Sequence, residues 1–288
     1  MIPTPSLPAR PSSPTQRPPY RQRKLGGILA AFAIALCTPA LAHASYAERE
    51  DARVFAAEIA SRHALDAGEI ERALAGARHD PEVIRLITPP SRKGVRSWRS
   101  YRARFLDRTR IDGGMRFWHE HADTLERAER ETGVPAEVIV AIIGVETIYG
   151  RNTGNFETLS TLATLAFDYP PRAELFRREL EALFLLAREQ GRDPASYYGS
   201  FAGALGYPQF LPSSMRAYAV DFDRNGAIDF DGDPVDAIGS VANYLRAHGW
   251  QAGAPVAERA RLSPATDAAG LAAAGIEPTL APALLADN

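Results

Sequence analysis

The segment GVETIYGRNTGN carries a single acid, Glu146, directly after the apolar run VIVAII. Ile139 and Ile143 precede Glu146 by seven and three residues, a spacing that places all three side chains on one face of a helix. We therefore predict that Glu146 points toward the core. Loss of hydration there would raise its pKa and keep it protonated near neutral pH, as the general acid of a glycosidic cleavage requires. The alternative is a structural glutamate that arginine or backbone donors satisfy.

A second polar constellation follows about fifty residues later, in YYGSFAGALGYPQFLPSSM. Its glycines allow close backbone approach, and its tyrosines and phenylalanines offer flat apolar faces. Ser200 and Gln209 add neutral hydrogen-bonding groups. This mixture suits binding of a sugar polymer, although a glycine-rich turn between helices remains the alternative.

The segment DFDRNGAIDFDGDPVD has the oxygen-rich pattern of a calcium loop. Asp221, Asp223, Asn225 and Gly226 occupy positions 1, 3, 5 and 6 of that pattern. Position 12, where an EF-hand has a bidentate glutamate, is Gly232, so the loop is not a standard EF-hand. The alternative is an acidic, solvated turn that binds no ion.

The rest of the mature chain has helical periodicity. Asp66 and Asp80 are predicted to cap helices, a long amphipathic helix is predicted to end at Gly133, and the next is predicted to run from Pro135 to Gly150. Residues 46–250 contain no strand pattern of useful length. The sequence therefore predicts a mainly α protein.

The first 44 of the 288 residues predict an export signal. A proline-rich, basic leader precedes an apolar stretch and the small-x-small pattern that ends at Ala44. An uncleaved anchor is the alternative. The only cysteine, Cys37, lies inside this segment, and the bulky Leu36 before it argues against a lipid anchor. The mature chain would have neither disulfides nor thiol chemistry.

Removal of the signal changes the charge of the protein. It leaves 28 basic against 35 acidic residues, a net charge of −7. A protein of this charge is not expected to bind nucleic acid.

Four colinear blocks resemble the lytic murein transglycosylase B family: VPAEVIVAIIGVETIYGR, LATLAFDYPPRAELFRRELEALFLLAR, GSFAGALGYPQFLPSSM, and YAVDFDRNGAIDF with DPVDAIGSVANYLRAHGW. The resemblance covers roughly residues 50–255. It implies a mainly α, lysozyme-like catalytic domain over residues 131–250 that contains an EF-hand-like calcium loop at 221–236. A helical N-terminal region at 45–130 would precede it, and an incomplete C-terminal segment at 251–288 would follow.

The resemblance also implies residue roles. Glu146 matches the catalytic acid/base of the family, whereas Ser200 and Gln209 match groups of the glycan cleft. Tyr101 and Tyr244 match cleft tyrosines, for which a packing role is the alternative. The implied ligands of a structural Ca²⁺ are Asp221, Asp223, Asn225, the Ala227 carbonyl and Asp236.

The implied reaction cleaves the β-1,4 bond between N-acetylmuramic acid and N-acetylglucosamine without water and leaves a 1,6-anhydromuramoyl end. A single carboxyl group suffices for this chemistry, and Asp168 and Glu157 are candidates for a second one by proximity only. A hydrolytic muramidase and a non-catalytic peptidoglycan-binding protein remain the alternatives. The expected location is the periplasm, and the expected partners are glycan strands, with proteins of cell-wall synthesis or turnover left open.

Overall fold

The computed structural model describes residues 45–90 and 97–257. The predicted export signal, Cys37 and the C-terminal residues 258–288 lie outside them. The described helices, in chain order, are α1 (Glu50–His63), α2 (Ala67–Gly76), α3 (Pro81–Ile87), α4 (Trp98–Arg102), α5 (Arg108–Glu120), α6 (Ala122–Thr132), α7 (Ala136–Thr147), α8 (Thr158–Asp168), α9 (Ala173–Gln190), α10 (Pro212–Tyr218) and α11 (Pro234–Ala247). This architecture confirms the mainly α prediction.

Short polar side chains fix several helix starts, as the sequence predicts. The Asp66 carboxylate accepts a hydrogen bond from the Glu69 backbone N–H at 2.9 Å, and Asp80 accepts one from Glu82 at 2.9 Å. Each bond satisfies a backbone donor that has no partner within its own helix. At the other end of α6, Gly133 adopts the left-handed conformation, with φ +73°, which a glycine accepts at little cost.

Two helix predictions were wrong in their bounds. The long helix before Gly133 is interrupted at His121, whose φ of −118° and ψ of 26° separate α5 from α6. The next helix, α7, ends at Thr147 rather than Gly150. The three residues after Thr147 have positive φ, so they form a tight turn in place of a last helical turn.

The buried side chains of the described residues form two clusters. The larger one is centred on α8 and α9, where Leu162, Leu165, Leu180 and Leu183 are fully buried, and α1 to α3 pack against it. The smaller one joins α5, α6, α7 and α11 through side chains that include Leu125, Ile139, Ile143 and Ile238. Burial of large apolar side chains of this kind stabilises each group of helices by about 1.5 to 3 kcal/mol per side chain.

A short antiparallel pair of strands connects two distant parts of the chain. Strand β1 (Phe156–Glu157) pairs with β2 (Tyr198–Gly199), with Phe156 opposite Gly199 and Glu157 opposite Tyr198. This pairing brings the segment after α7 against the glycine-rich segment that begins at residue 199. Separately, none of the described helices has the length and hydropathy needed to span a lipid bilayer.

Candidate active site

Glu146 lies in the last turn of α7, and its side chain is exposed. The prediction that it points toward the core was wrong. Ile139 and Ile143 are fully buried, and helical phase alone would keep Glu146 on their face. Glu146 is exposed because it lies in the last turn of α7, beyond Ile143, the last side chain of this helix in the buried apolar cluster.

The carboxyl group of Glu146 is nevertheless perturbed. Partial burial by surrounding protein atoms raises the pKa of Glu146 above its usual value of 4.5. Within residues 45–90 and 97–257, no group donates a hydrogen bond to this carboxylate or forms an ion pair with it. Loss of hydration therefore acts without compensation, and the protonated form is favoured.

The turn after Glu146 is strained. Ile148 and Tyr149 have φ values of 54° and 59°, a left-handed conformation that is unusual for a β-branched or bulky side chain. The Tyr149 hydroxyl donates to the Arg110 carbonyl on α5 at 3.0 Å. Its ring fills the space beside Gly144, where a Cβ atom would collide with it. These contacts hold the strained turn and thereby fix the end of α7.

Arg110 secures the same helix end from the side of α5. Its Nε donates to the Gly144 carbonyl at 3.2 Å, and its Nη1 pairs with Asp107 at 2.6 Å. A cation at a helix C-terminus interacts favourably with the helix dipole. Arg110 therefore stabilises the turn of α7 that carries Glu146.

Thr147 connects α7 to the glycine-rich segment. Its side chain is fully buried; its hydroxyl donates to the Tyr207 carbonyl at 2.9 Å and accepts from the Gly150 N–H at 3.0 Å. Sequence reasoning missed Thr147 and Arg110. The hydroxyl next to Glu146 was a signal for Thr147, whereas Arg110 gave none, because its contact with Gly144 spans 34 residues.

The structure places Gln209 against the loop that follows Glu146. The Gln209 Nε2 donates to the Thr153 and Gly206 carbonyls, both at 3.0 Å. Its backbone is left-handed, with φ 52°. In the described part of the chain no donor reaches its Oε1. Gln209 therefore presents its Oε1 as an acceptor, while its amide nitrogen links the loop at Thr153 to the loop at Gly206.

Ser200 follows β2 directly and is half-buried. Its Oγ accepts a hydrogen bond from the Ala204 N–H at 3.2 Å, and its backbone N–H donates to the Ala204 carbonyl at 2.9 Å. The hydroxyl proton is left to donate to another group. Ser200 follows the strand that pairs with β1, and Gln209 contacts Thr153, so both residues belong to segments that contact the 147–157 region.

The two predicted cleft tyrosines lie in different surroundings. Tyr101, on α4, is 55% exposed and contacts Phe105, with the ring centroids 5.1 Å apart. Tyr244, on α11, is half-buried among aromatic rings, 5.4 Å from Phe210 and 4.1 Å from His248 between centroids. The packing of Tyr101 leaves most of its ring open, whereas Tyr244 contributes to the core.

The two other candidate carboxylates have structural partners. Asp168 accepts hydrogen bonds from the Tyr46 hydroxyl at 2.7 Å, from Arg49 at 2.5 Å and from His79 at 2.9 Å. Glu157 accepts a hydrogen bond from the Ser160 hydroxyl and lines a groove of about 650 Å³ between α2 and the end of α9. Glu146 does not line that groove, so the described contacts bring neither acid into a pair with it.

The acidic loop gathers three carboxylates. Oxygen atoms of Asp221, Asp223 and Asp236 lie within 4.8 Å of one another. Asp236 is 2% exposed, and its carboxylate accepts hydrogen bonds from the Phe222 N–H at 2.7 Å and the Asp229 N–H at 2.9 Å. Hard divalent cations prefer such a set of oxygen ligands. The residues present therefore fit a calcium ion.

Two comparisons with solved structures define the class of protein. The soluble lytic transglycosylase SltB1 from Pseudomonas aeruginosa matches with a TM-score of 0.69 and 49% identity, over 71% of this chain and 68% of that one. The lytic transglycosylase Slt35 from Escherichia coli, solved in complex with calcium, matches with a TM-score of 0.68 and 42% identity, over 82% of this chain and 78% of that one. The protein has the lysozyme-like fold of these transglycosylases.

The family follows from the sequence match. The family model described as "Transglycosylase SLT domain" matches residues 47–281, and the chain belongs to this family. A curated relative, the membrane-bound lytic murein transglycosylase B of Escherichia coli strain K12, is 44% identical over an alignment of 221 residues that covers 74% of this chain. The chain spans 61% of the length of that relative.

Proposed function

We propose that the protein is a lytic transglycosylase that cleaves the MurNAc-β-1,4-GlcNAc bond of peptidoglycan without water, with Glu146 as its single general acid/base. The observation that carries the proposal is the state of Glu146, which is exposed to solvent, has a raised pKa and lacks a partner among the described residues. Membership of the transglycosylase SLT-domain family supports it.

The reaction needs two proton transfers through one carboxyl group. Protonated Glu146 donates its proton to the glycosidic oxygen as the bond from that oxygen to the muramoyl C1 breaks. The resulting carboxylate removes the proton of the muramoyl 6-hydroxyl while O6 forms a bond to C1, and the acetamido group assists at C1. The products are a 1,6-anhydromuramoyl end and a free GlcNAc 4-hydroxyl. The internal nucleophile gains from its high effective concentration.

The remaining site residues act on the glycan. Ser200 donates its free hydroxyl proton to the sugar, and the Gln209 Oε1 accepts from a sugar hydroxyl. Tyr101 provides an exposed aromatic face for a sugar ring. For Tyr244 we retain a place at the cleft wall, where its packing against Phe210 orients the glycine-rich segment.

Digestion of purified peptidoglycan sacculi tests the proposal. Mass spectrometry of the soluble products separates the outcomes, because an anhydromuramoyl product is lighter by one water than a hydrolytic one. We expect anhydro products from the parent and none from Glu146→Gln. Products that carry the added water would identify a muramidase instead, and binding without any soluble product would identify a non-catalytic protein.

The acidic loop serves stability in this proposal. Ca²⁺ would bind Asp221, Asp223, Asn225, the Ala227 carbonyl and Asp236, and so hold α10 against α11. The complex of Slt35 with calcium supports this assignment. We also propose export to the periplasm by residues 1–44, which N-terminal sequencing of the mature protein from the periplasmic fraction would test.

A further inference from the structure

Three aromatic rings, those of Trp98, Tyr101 and Phe105, form an aromatic ladder that runs from the surface of α4 toward the helix of Glu146. Trp98 and Tyr101 are stacked, with their ring centroids 5.9 Å apart and an interplanar angle of 26°. Tyr101 contacts Phe105, and the Arg110 guanidinium lies over the Phe105 ring at 5.5 Å. The same Arg110 donates to Gly144, two residues before Glu146. The inner end of the ladder therefore contacts the helix that carries Glu146.

Trp98 is the most open ring of this ladder. It is 70% exposed, compared with 55% for Tyr101. Exposing so much indole to water is unfavourable, and the stack with Tyr101 covers only part of the ring. A large, flat and exposed aromatic surface beside a binding site favours a ligand that is itself flat and partly apolar.

The chemistry around Trp98 favours a sugar ring over an apolar partner. Arg99 and Arg102 are exposed on the same short helix and offer hydrogen-bond donors at the rim of the aromatic surface. A pyranose has one face of C–H groups, which covers an aromatic ring, and a periphery of hydroxyl groups. A membrane surface also attracts tryptophan and arginine, but α4 has only five residues, too few for an amphipathic helix that lies in the interface.

We propose that Trp98 forms a distal glycan subsite, which binds a sugar of the same strand beyond the one at Tyr101. This inference rests on the proposed function and extends it: the protein would hold long glycan strands more tightly than short ones. Trp98 is separated from α7 by Tyr101, Phe105 and Arg110, so in this proposal a polymer engages the whole ladder and a disaccharide at Glu146 does not.

Equilibrium binding in the inactive Glu146→Gln background isolates this subsite from catalysis. The ligands are long glycan strands freed of peptides by an amidase, and the GlcNAc-MurNAc disaccharide. We expect Trp98→Ala to raise the Kd for long strands about threefold to tenfold, as loss of one stacking contact implies, and to leave the disaccharide Kd unchanged. Trp98→Phe should restore most of the affinity. In the active protein, Trp98→Ala should raise the KM for long strands with little change in kcat.

Trp118→Ala is the matched control, because Trp118 is also exposed, at 39%, but lies outside the ladder. It should change neither Kd. An unchanged long-strand Kd in Trp98→Ala, or equal weakening for both ligands, would overturn the subsite. The subsite would also be overturned if Trp98→Ala abolished adsorption to vesicles containing an anionic phospholipid and left glycan binding intact. That result would assign Trp98 to a membrane surface. If instead the parent binds no glycan and releases no anhydro product, it is the proposed function that fails.

Discussion

Glu146 and Asp168 lie at the C-terminal ends of consecutive helices, α7 and α8. A negative charge is unfavourable there because the helix dipole places partial negative charge at the same end. At α8 the protein compensates with the Tyr46 hydroxyl, Arg49 and His79. At α7 the described residues provide no such partner.

The pKa values follow this difference. Burial alone would raise the pKa of Asp168, but the hydrogen bonds from Tyr46, Arg49 and His79 outweigh it and hold the pKa below its usual value of 3.8. Burial raises the pKa of Glu146 with nothing to oppose it. Asp168 is held ionised and fixes the N-terminal segment to α8, whereas the raised pKa of Glu146 favours its protonated form, as the proposed acid/base role requires.

The largest expected effect comes from Glu146→Gln. The amide keeps the size of the side chain but cannot give and retrieve a proton, so turnover on sacculi should fall by about 10²- to 10⁴-fold or more. The melting temperature should stay close to that of the parent. Residual turnover within tenfold of the parent would show that Glu146 is not the acid/base.

The pH dependence should separate the two carboxyl groups. In the proposed reaction Glu146 acts first in its protonated form, so activity should fall by about tenfold per pH unit as pH rises above its raised pKa. Asp168 has a depressed folded-state pKa, so its contribution to stability is present above pH 3.8 and is lost as pH falls through the lower, folded-state value. Rate profiles and thermal melts across pH test this, and a common midpoint for both would contradict it.

The acidic loop differs from both helix ends in how its negative charge would be compensated. Its crowded carboxylates would be neutralised by a bound cation. Calcium at 100 times its Kd should raise the free energy of unfolding by about 2.7 kcal/mol. Asp221→Ala combined with Asp223→Ala should remove this increment and leave the backbone hydrogen bonds of the buried Asp236 in place. Asp231→Ala, an exposed acid of the same loop outside the ligand set, is the control. Calorimetry with calcium and with a chelator measures the difference; an equal response from the double variant and the control would refute these ligands.

Replacing Asp168 tests the structural half of the comparison. Asp168→Asn removes the negative charge that Arg49 and His79 contact, at a site where the Asp168 side chain is 23% exposed, while Arg49 keeps its ion pair with Asp51. We expect a loss of about 1 to 3 kcal/mol in the free energy of unfolding, less than for a fully buried pair. Turnover per folded molecule should be unchanged. A loss of turnover without a loss of stability would place Asp168 in the chemistry.

Local sequence signals predicted much of the helical fold and placed Glu146 on α7, but they did not predict that its side chain is exposed. The caps at Asp66 and Gly133 were correct because each depends on residues within a few positions. The end of α7 was not predictable in this way, since the left-handed turn depends on Tyr149 docking against α5, 39 residues away. The same limit applies to Asp168, whose partners lie 89 to 122 residues distant.

Ser200→Ala is the smallest expected change and tests how finely the site is organised. In the proposed site its hydroxyl gives one hydrogen bond to the glycan, and it also accepts one from the Ala204 N–H. Loss of a single oriented hydrogen bond costs about 0.5 to 1.5 kcal/mol, so turnover should fall about twofold to tenfold. Ser200→Thr keeps a hydroxyl and should recover part of the rate if the hydroxyl itself matters. If both variants lose rate equally along with stability, Ser200 supports the turn at Ala204. If neither loses rate, the sugar is held by Gln209 and the aromatic ladder, and Glu146 alone would account for the chemistry of this end of α7.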